Sequence, residues 1–144
     1  MRMSGNTTSA IGCALLALGG LAYASSACAE QDPMREVPQG TWGGRSVRLT
    51  VAESGAAIEF DCAHGSIEGP LRLEDGKFDV AGVFVRERGG PVRRGEKPDK
   101  RPARYFGSTD GRALTLNVTL TEEDQTLGPF TLRRGASGKL FKCL

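Results

Sequence analysis

The sequence predicts an all-β domain, closed as a small antiparallel meander barrel of about eight strands. Three observations carry this. Apolar residues recur with period two along most of the chain after residue 46. The segments between these stripes are turn chemistry, rich in Gly, Asp and Ser. No segment has an amphipathic helical period of useful length, and Glu122-Glu123-Asp124 could start at most one helical turn. A meander of hairpins exposes two sheet edges unless it closes on itself, which favours a barrel over the competing two-sheet β-sandwich.

The elements follow in order. Residues 1–9 are polar, and residues 10–24 (AIGCALLALGGLAYA) are apolar and small. The apolar run is too short for a transmembrane helix, and small-residue cleavage patterns follow at Ala22-Tyr23-Ala24 and Ala27-Cys28-Ala29. Residues 1–29 are therefore expected to be a secretory signal peptide, leaving no transmembrane span in the mature protein. Cys28 raises a second form of export, as a lipoprotein anchored through that residue. Ser25-Ser26-Ala27 suits lipid attachment, but the Leu usual three residues before the lipid-bearing Cys is missing. Removing residues 1–29 leaves 115 of 144 residues, enough for one core and too few for two domains. The expected organisation is a signal peptide (1–29), a polar connector (30–38) and a single barrel domain (39–144).

Val47, Leu49 and Val51 form the first stripe, and Ile58, Phe60 and Cys62 the second. Ile67, Leu71 and Leu73 make a third, with Gly69 on the same face; Phe78, Val80 and Phe84 make a fourth, with Gly82 among them. A short fifth segment, 103–108, carries Tyr105. Leu114, Leu116, Val118 and Leu120 alternate with Thr115, Asn117, Thr119 and Thr121 in the cleanest strand of the chain. Phe130 and Leu132 mark a seventh strand, and residues 140–143 an eighth. Gly55, Gly76 and Gly111 each end a tripeptide suited to a tight turn with positive φ, and Gly135-Ala136-Ser137-Gly138 serves the same purpose. The expected core is Leu49, Val51, Ile58, Phe60, Leu71, Phe84, Leu114, Leu116, Val118 and Leu132.

Cleavage after Ala29 removes Cys13 and Cys28 and leaves Cys62 and Cys143. In an oxidising compartment, two cysteines far apart in sequence are expected to form a disulfide. Barrel closure would bring an inward-facing Cys62 to a last strand ending at Cys143. The alternative, a catalytic thiol at Cys62 assisted by His64, requires a free thiol to persist outside the cytoplasm.

At 39% hydrophobic residues and a net charge of +2, the chain is neither disordered nor a dedicated nucleic-acid binder. Its charge is nevertheless segregated. Between residues 86 and 104 lie Arg86, Arg88, Arg93, Arg94, Lys97, Lys100, Arg101 and Arg104 against Glu87, Glu96 and Asp99, a net +5. The rest of the mature chain carries ten basic and fourteen acidic residues, a net −4. Gly89-Gly90-Pro91, Gly95, Pro98 and Pro102 make this segment a long loop, and such loops are often functional. Its field would draw an acidic protein, an anionic glycan or a lipid headgroup. Nucleic acid is not expected, because no aromatic residues are interleaved with the cations.

The other candidates are weaker. His64 is the only histidine, and nothing near it has metal-ligand spacing, so it is expected to be a strand-end residue bonded to backbone. Glu59 and Asp61 share an outer face as solvated charges. No Ser/His/Asp set, phosphate loop or metal cluster is present, so no catalytic residue, cofactor or metal is expected.

Gly40-Thr41-Trp42 precedes the first stripe and resembles the Gly-x-Trp through which streptavidin-like and lipocalin-like (calycin) barrels enter their first strand. The resemblance implies that Trp42 closes one end of a barrel. Biotin binding is not implied, because streptavidin-like barrels hold biotin with several tryptophans and this chain has one. The stretches EFDCAHG (59–65), GGPVRRGE (89–96) and PARYFG (102–107) resemble those of small secreted bacterial β-barrel proteins, a likeness that carries no activity with it. Ala103-Arg104-Tyr105 is similar to a tripeptide of the inhibitors of C-type lysozyme, small periplasmic barrels with a disulfide whose loop side chains enter an acidic cleft. Here the flanking Ser-Gly of those inhibitors is replaced by Arg101-Pro102.

The functional expectation is an exported, periplasmic or extracellular, non-catalytic barrel. It would act as a binding or inhibitory module that presents the basic loop to an acidic partner. The alternatives are a structural, envelope-associated protein and a small-molecule-binding barrel. A deep, open, apolar interior would favour a lipophilic ligand, whereas a filled one would favour a partner met by loops.

Overall fold

The computed structural model describes residues 34–143. The expected signal peptide, Cys13 and Cys28 lie outside the described residues. The domain is all-β, a closed antiparallel barrel in which eight strands pair in chain order: β1 Gly40–Gly44, β2 Val47–Ala52, β3 Gly55–Phe60, β4 Ala63–Glu68, β5 Lys77–Arg86, β6 Asp99–Thr109, β7 Ala113–Leu120 and β8 Gln125–Arg134. Pairing of β1 with β8 closes the ring, with Trp42 opposite Arg134 and Gly44 opposite Leu132.

Alternation puts the apolar side chains inside. All ten expected core residues are buried, and Trp42, Val47, Phe78, Tyr105 and Leu120 join them. The outward positions are largely polar, including Thr50, Glu59, His64, Ser66, Asp79, Arg104 and Ser108. An apolar inside and a polar outside is the pattern of a barrel standing in water, the reverse of a transmembrane barrel.

Tyr105 is wholly buried within the interior cluster. The ring of Tyr105 lies against the wall formed by Gly65 and Gly82, and its hydroxyl donates to the Val83 carbonyl at 2.8 Å. A Cβ at Gly82 would stand 2.7 Å from Cε2 of that ring, so both glycines are needed for the close approach. Burial pushes the Tyr105 hydroxyl well above the usual tyrosine range, because the phenolate would be left in an apolar interior. Phe60 packs on Phe84 and on Phe130, each with ring centroids 5.5 Å apart. The indole nitrogen of Trp42 donates to the Pro38 carbonyl at 3.0 Å. This ties the lead-in segment to the end of the barrel where Val37 pairs with Leu71.

Four expectations need correction. Asp61 and Cys62 form the β3–β4 turn, not a continuation of the strand, and the turn resets the alternation. Ala63, Gly65 and Ile67 therefore face inward, while His64 faces outward and Cys62 is exposed. Leu71 and Leu73 are buried, but they belong to a crossing loop that pairs with the lead-in segment through a single bridge, Glu36 to Arg72. The fifth strand begins four residues earlier than expected and runs as β6 from Asp99. Residues 140–143 form no strand. The eighth strand of the ring is instead β1, whose sequence GTWGG carries too few side chains to show a stripe.

The segment after β8 is a strap on the outside of the barrel. Gly135 N donates to Thr41 O, Lys139 N to Gly44 O and Ser46 N to Lys139 O, and the Arg48 guanidinium donates to Ser137 O. The strap lies so close to β1 that a Cβ at Gly43 would overlap the backbone of Ala136 and Gly138. It then reaches the β3–β4 turn, where Phe141 N donates to Asp61 Oδ1 at 2.8 Å and Cys143 is disulfide-bonded to Cys62, with Cα atoms 5.2 Å apart. The disulfide is therefore present, but it pins an external tail and does not join two strands. Such a bond is compatible with an oxidising, exported compartment.

Candidate functional site

In this up-and-down topology the β1–β2, β3–β4, β5–β6 and β7–β8 connections share one end of the barrel. The strap delivers the carboxyl-terminal residues to the same end, through Asp61 and Cys62. The long connection there is residues 87–98, between β5 and β6. The eight expected loop cations divide between strand and loop. Arg86 is on β5, and Lys100, Arg101 and Arg104 are on β6, whereas Arg88, Arg93, Arg94 and Lys97 are in the loop.

Ion pairing divides the set a second way. Glu123, from the β7–β8 turn, accepts from both Arg86 (2.8 Å) and Arg101. Arg101 also donates to Asp99 at 3.1 Å, and this hydrogen bond holds the Asp99 carboxyl below its usual range. Arg104 forms a bidentate pair with Asp79 on the outer face of the β5–β6 ladder. Arg88 lies 3.5 Å from Glu96 across the loop. The side chains of Arg93, Arg94, Lys97 and Lys100 have no carboxylate partner among the described residues, and all four residues are exposed; the Arg93 amide donates to Glu96 at 3.4 Å. Four of the eight cations thus brace the hairpin, and four are presented.

The loop shares an open cleft of about 700 Å³ with His64 of β4 and Val85 of β5, lined also by Arg86, Arg88, Arg93 and Lys97. Val85 points outward by strand parity, yet it is buried. His64 does not bond to backbone as expected. Its Nδ1 lies 2.9 Å from Glu87 Oε1, and Lys142 of the strap approaches the same carboxylate at 3.6 Å. Glu59 is held by Arg48 at 3.0 Å. Asp61 accepts the Phe141 amide, which lowers its carboxyl below the usual range. Among the described residues no three His, Cys, Asp or Glu side chains come together in a metal-binding group.

Trp42 and Tyr105 are structural in their surroundings. Trp42 is wholly buried, and its one polar atom is spent on Pro38. Ala103-Arg104-Tyr105 lies within β6, with Tyr105 inside the barrel and Arg104 bound to Asp79.

The residues missed from sequence are those of the strap. Phe141 is 60% exposed beside Lys139, whose ammonium sits 5.5 Å from the ring centroid. Reading residues 140–143 as a strand hid this. The repeated Gly and Ser at 135–138 was the available signal that the chain turns away from the barrel. Searches with the chain match no family model, no curated protein and no solved structure.

Proposed function

We propose that this protein is a non-catalytic binding or inhibitory module, exported from the cell, that engages an acidic partner through the loop end of its barrel. One observation carries the reading. The side-chain charges of Arg93, Arg94, Lys97 and Lys100 stand exposed and without carboxylate partners among the described residues, on a hairpin that Arg86, Arg101 and Arg104 brace by ion pairs. Charges held out this way raise the local concentration of an anionic partner and speed its association. The interior adds support, because the large side chains of Trp42, Tyr105, Leu49, Ile58 and Leu116 all lie fully buried within it, where a lipophilic ligand would have to bind.

The test is titration with two soluble polyanions, polyglutamate and a sulfated glycan, at low and high salt. The wild type is compared with a variant carrying Arg93→Ser, Arg94→Ser, Lys97→Ser and Lys100→Ser. Binding that is strong at low salt, lost at high salt and absent in the variant supports the reading. Equal binding by both proteins would reject it. Arg101 is left in place because it holds Asp99 and Glu123, and its removal would disturb the hairpin itself.

A further inference from the structure

Two large apolar side chains stand far out of the described surface, Val92 at 83% exposure and Phe141 at 60%, and both lie at the loop end. Val92 sits in the β5–β6 loop immediately before Arg93 and Arg94. Phe141 is presented by the strap, its amide bound to Asp61 and its ring beside the ammonium of Lys139, while Lys142 turns to Glu59 and Glu87. The strap and the loop meet where Lys142 approaches Glu87, the first loop residue, at 3.6 Å. Two separate chain segments therefore bring an apolar side chain with adjacent cations to one end of the barrel.

A solvated tip has no need of this. Loop charges alone would keep the protein soluble, whereas here the two most exposed large apolar side chains of the described residues share one end of the barrel, each beside a cation. Pairing each apolar residue with cations is instead what an anionic bilayer surface selects. The cations lie at the headgroups, and the apolar side chains enter the boundary between headgroup and acyl chain. We infer that the acidic partner is an anionic lipid surface, on which the barrel stands end-on with Val92 and Phe141 inserted and Arg93, Arg94, Lys97, Lys100 and Lys139 at the phosphates. This rests on the binding function proposed above and narrows it to one partner. Glu122 and Asp124 of the β7–β8 turn are exposed at the same end, and they limit how closely that side can approach the membrane.

The experiment is co-sedimentation of the full chain with vesicles of phosphatidylcholine alone and of phosphatidylcholine mixed with phosphatidylglycerol. The expected result is binding only to the mixed vesicles, weakened by salt. Each of the five cations changed to Ser should lower partitioning by about fivefold. Val92→Ser with Phe141→Ser should lower it roughly tenfold while leaving polyglutamate binding unchanged. Depth is read independently with Val92→Trp, since Trp42 is buried and shielded. The new indole should shift to the blue and be quenched by brominated lipid in mixed vesicles. An indole that stays unquenched at this loop position overturns the inference even if the chain sediments with vesicles by another route. Loop-dependent binding to polyglutamate or glycan without binding to vesicles also overturns it, and leaves the broader binding function standing. Loss of both would remove the two together.

Discussion

The strap can be tested by adding one methyl group. Gly43→Ala places a Cβ where the backbone of Ala136 and Gly138 already lies, with the Ala136 carbonyl carbon 2.7 Å away. Backbone atoms cannot rotate aside, so either β1 or the strap must move. Overpacking of this kind costs about 1–3 kcal/mol. If the strap lifts, it gives up the four hydrogen bonds that join it to Thr41, Gly44, Ser46 and Arg48. Each contributes about 1 kcal/mol net, so the upper bound is about 4 kcal/mol. The expected loss is therefore about 1–4 kcal/mol, measured by urea unfolding of the oxidised protein. Amide exchange locates the damage. Ser46 and Lys139 should lose protection, while Leu116 and Val118 on β7, which does not touch the strap's hydrogen bonds, should keep theirs. A loss below about 0.5 kcal/mol, the range of an ordinary surface change, with Ser46 still protected would mean that the strap does not lie on β1.

Three further outcomes follow from the same structure. Leu116→Ala should cost about 2–5 kcal/mol in denaturant unfolding, because the side chain is fully buried between packed neighbours. Reducing the Cys62–Cys143 bond, or changing Cys143 to Ser, should lower stability by about 4 kcal/mol, since the bond closes a loop spanning 81 positions, and both routes should give the same curve. Tyr105 stays neutral in the folded protein beyond the pH at which it ionises in the unfolded chain, so its contribution is intact below about pH 10 and declines as pH rises above it. Tyr105→Phe should remove that part of the alkaline decline and cost about 1–3 kcal/mol at neutral pH, by leaving the Val83 carbonyl without its donor.

The parts of the fold legible in the sequence are those where one strand face is apolar and the other polar. β2, β3, β5 and β7 satisfy this, and their apolar stripes face the interior. Three kinds of element escaped. β1 has one large side chain among small ones, and its glycines serve the close approach of the strap, a tertiary demand with no local period. The turn at Asp61-Cys62 was hidden because Ile58, Phe60 and Cys62 continue the alternation across it, whereas the two-residue turn shifts the parity so that Ala63, Gly65 and Ile67 face inward and His64 outward. The start of β6 was obscured by charge. Asp99, Lys100 and Arg101 form ladder pairs with Arg86, Val85 and Phe84, and the Arg101–Asp99 pair within the strand, with Glu123 of the β7–β8 turn on Arg86 and Arg101, supports what a hydrophobic pattern cannot show.

The candidate site was legible as composition and illegible as geometry. The excess of cations between residues 86 and 104 is plain in the sequence. Which of them are free depends on Glu123 and Asp79, both distant from the cations they hold, at Arg86, Arg101 and Arg104. The contribution of Phe141 depends on a disulfide that carries the tail to the loop end. Neither relation has a signature within any short window of the chain.

On the proposed reading, binding belongs to the outside of one end of the barrel and not to its interior. Amide chemical-shift mapping during titration with a short-chain phosphatidylglycerol below its micelle concentration tests this most directly. Shifts are expected only at Val92–Lys97, Lys100 and Lys139–Lys142, with Trp42, Leu49, Ile58 and Tyr105 unmoved. Shifts centred on those interior residues, or on the end closed by Val37 and Leu71, would contradict it.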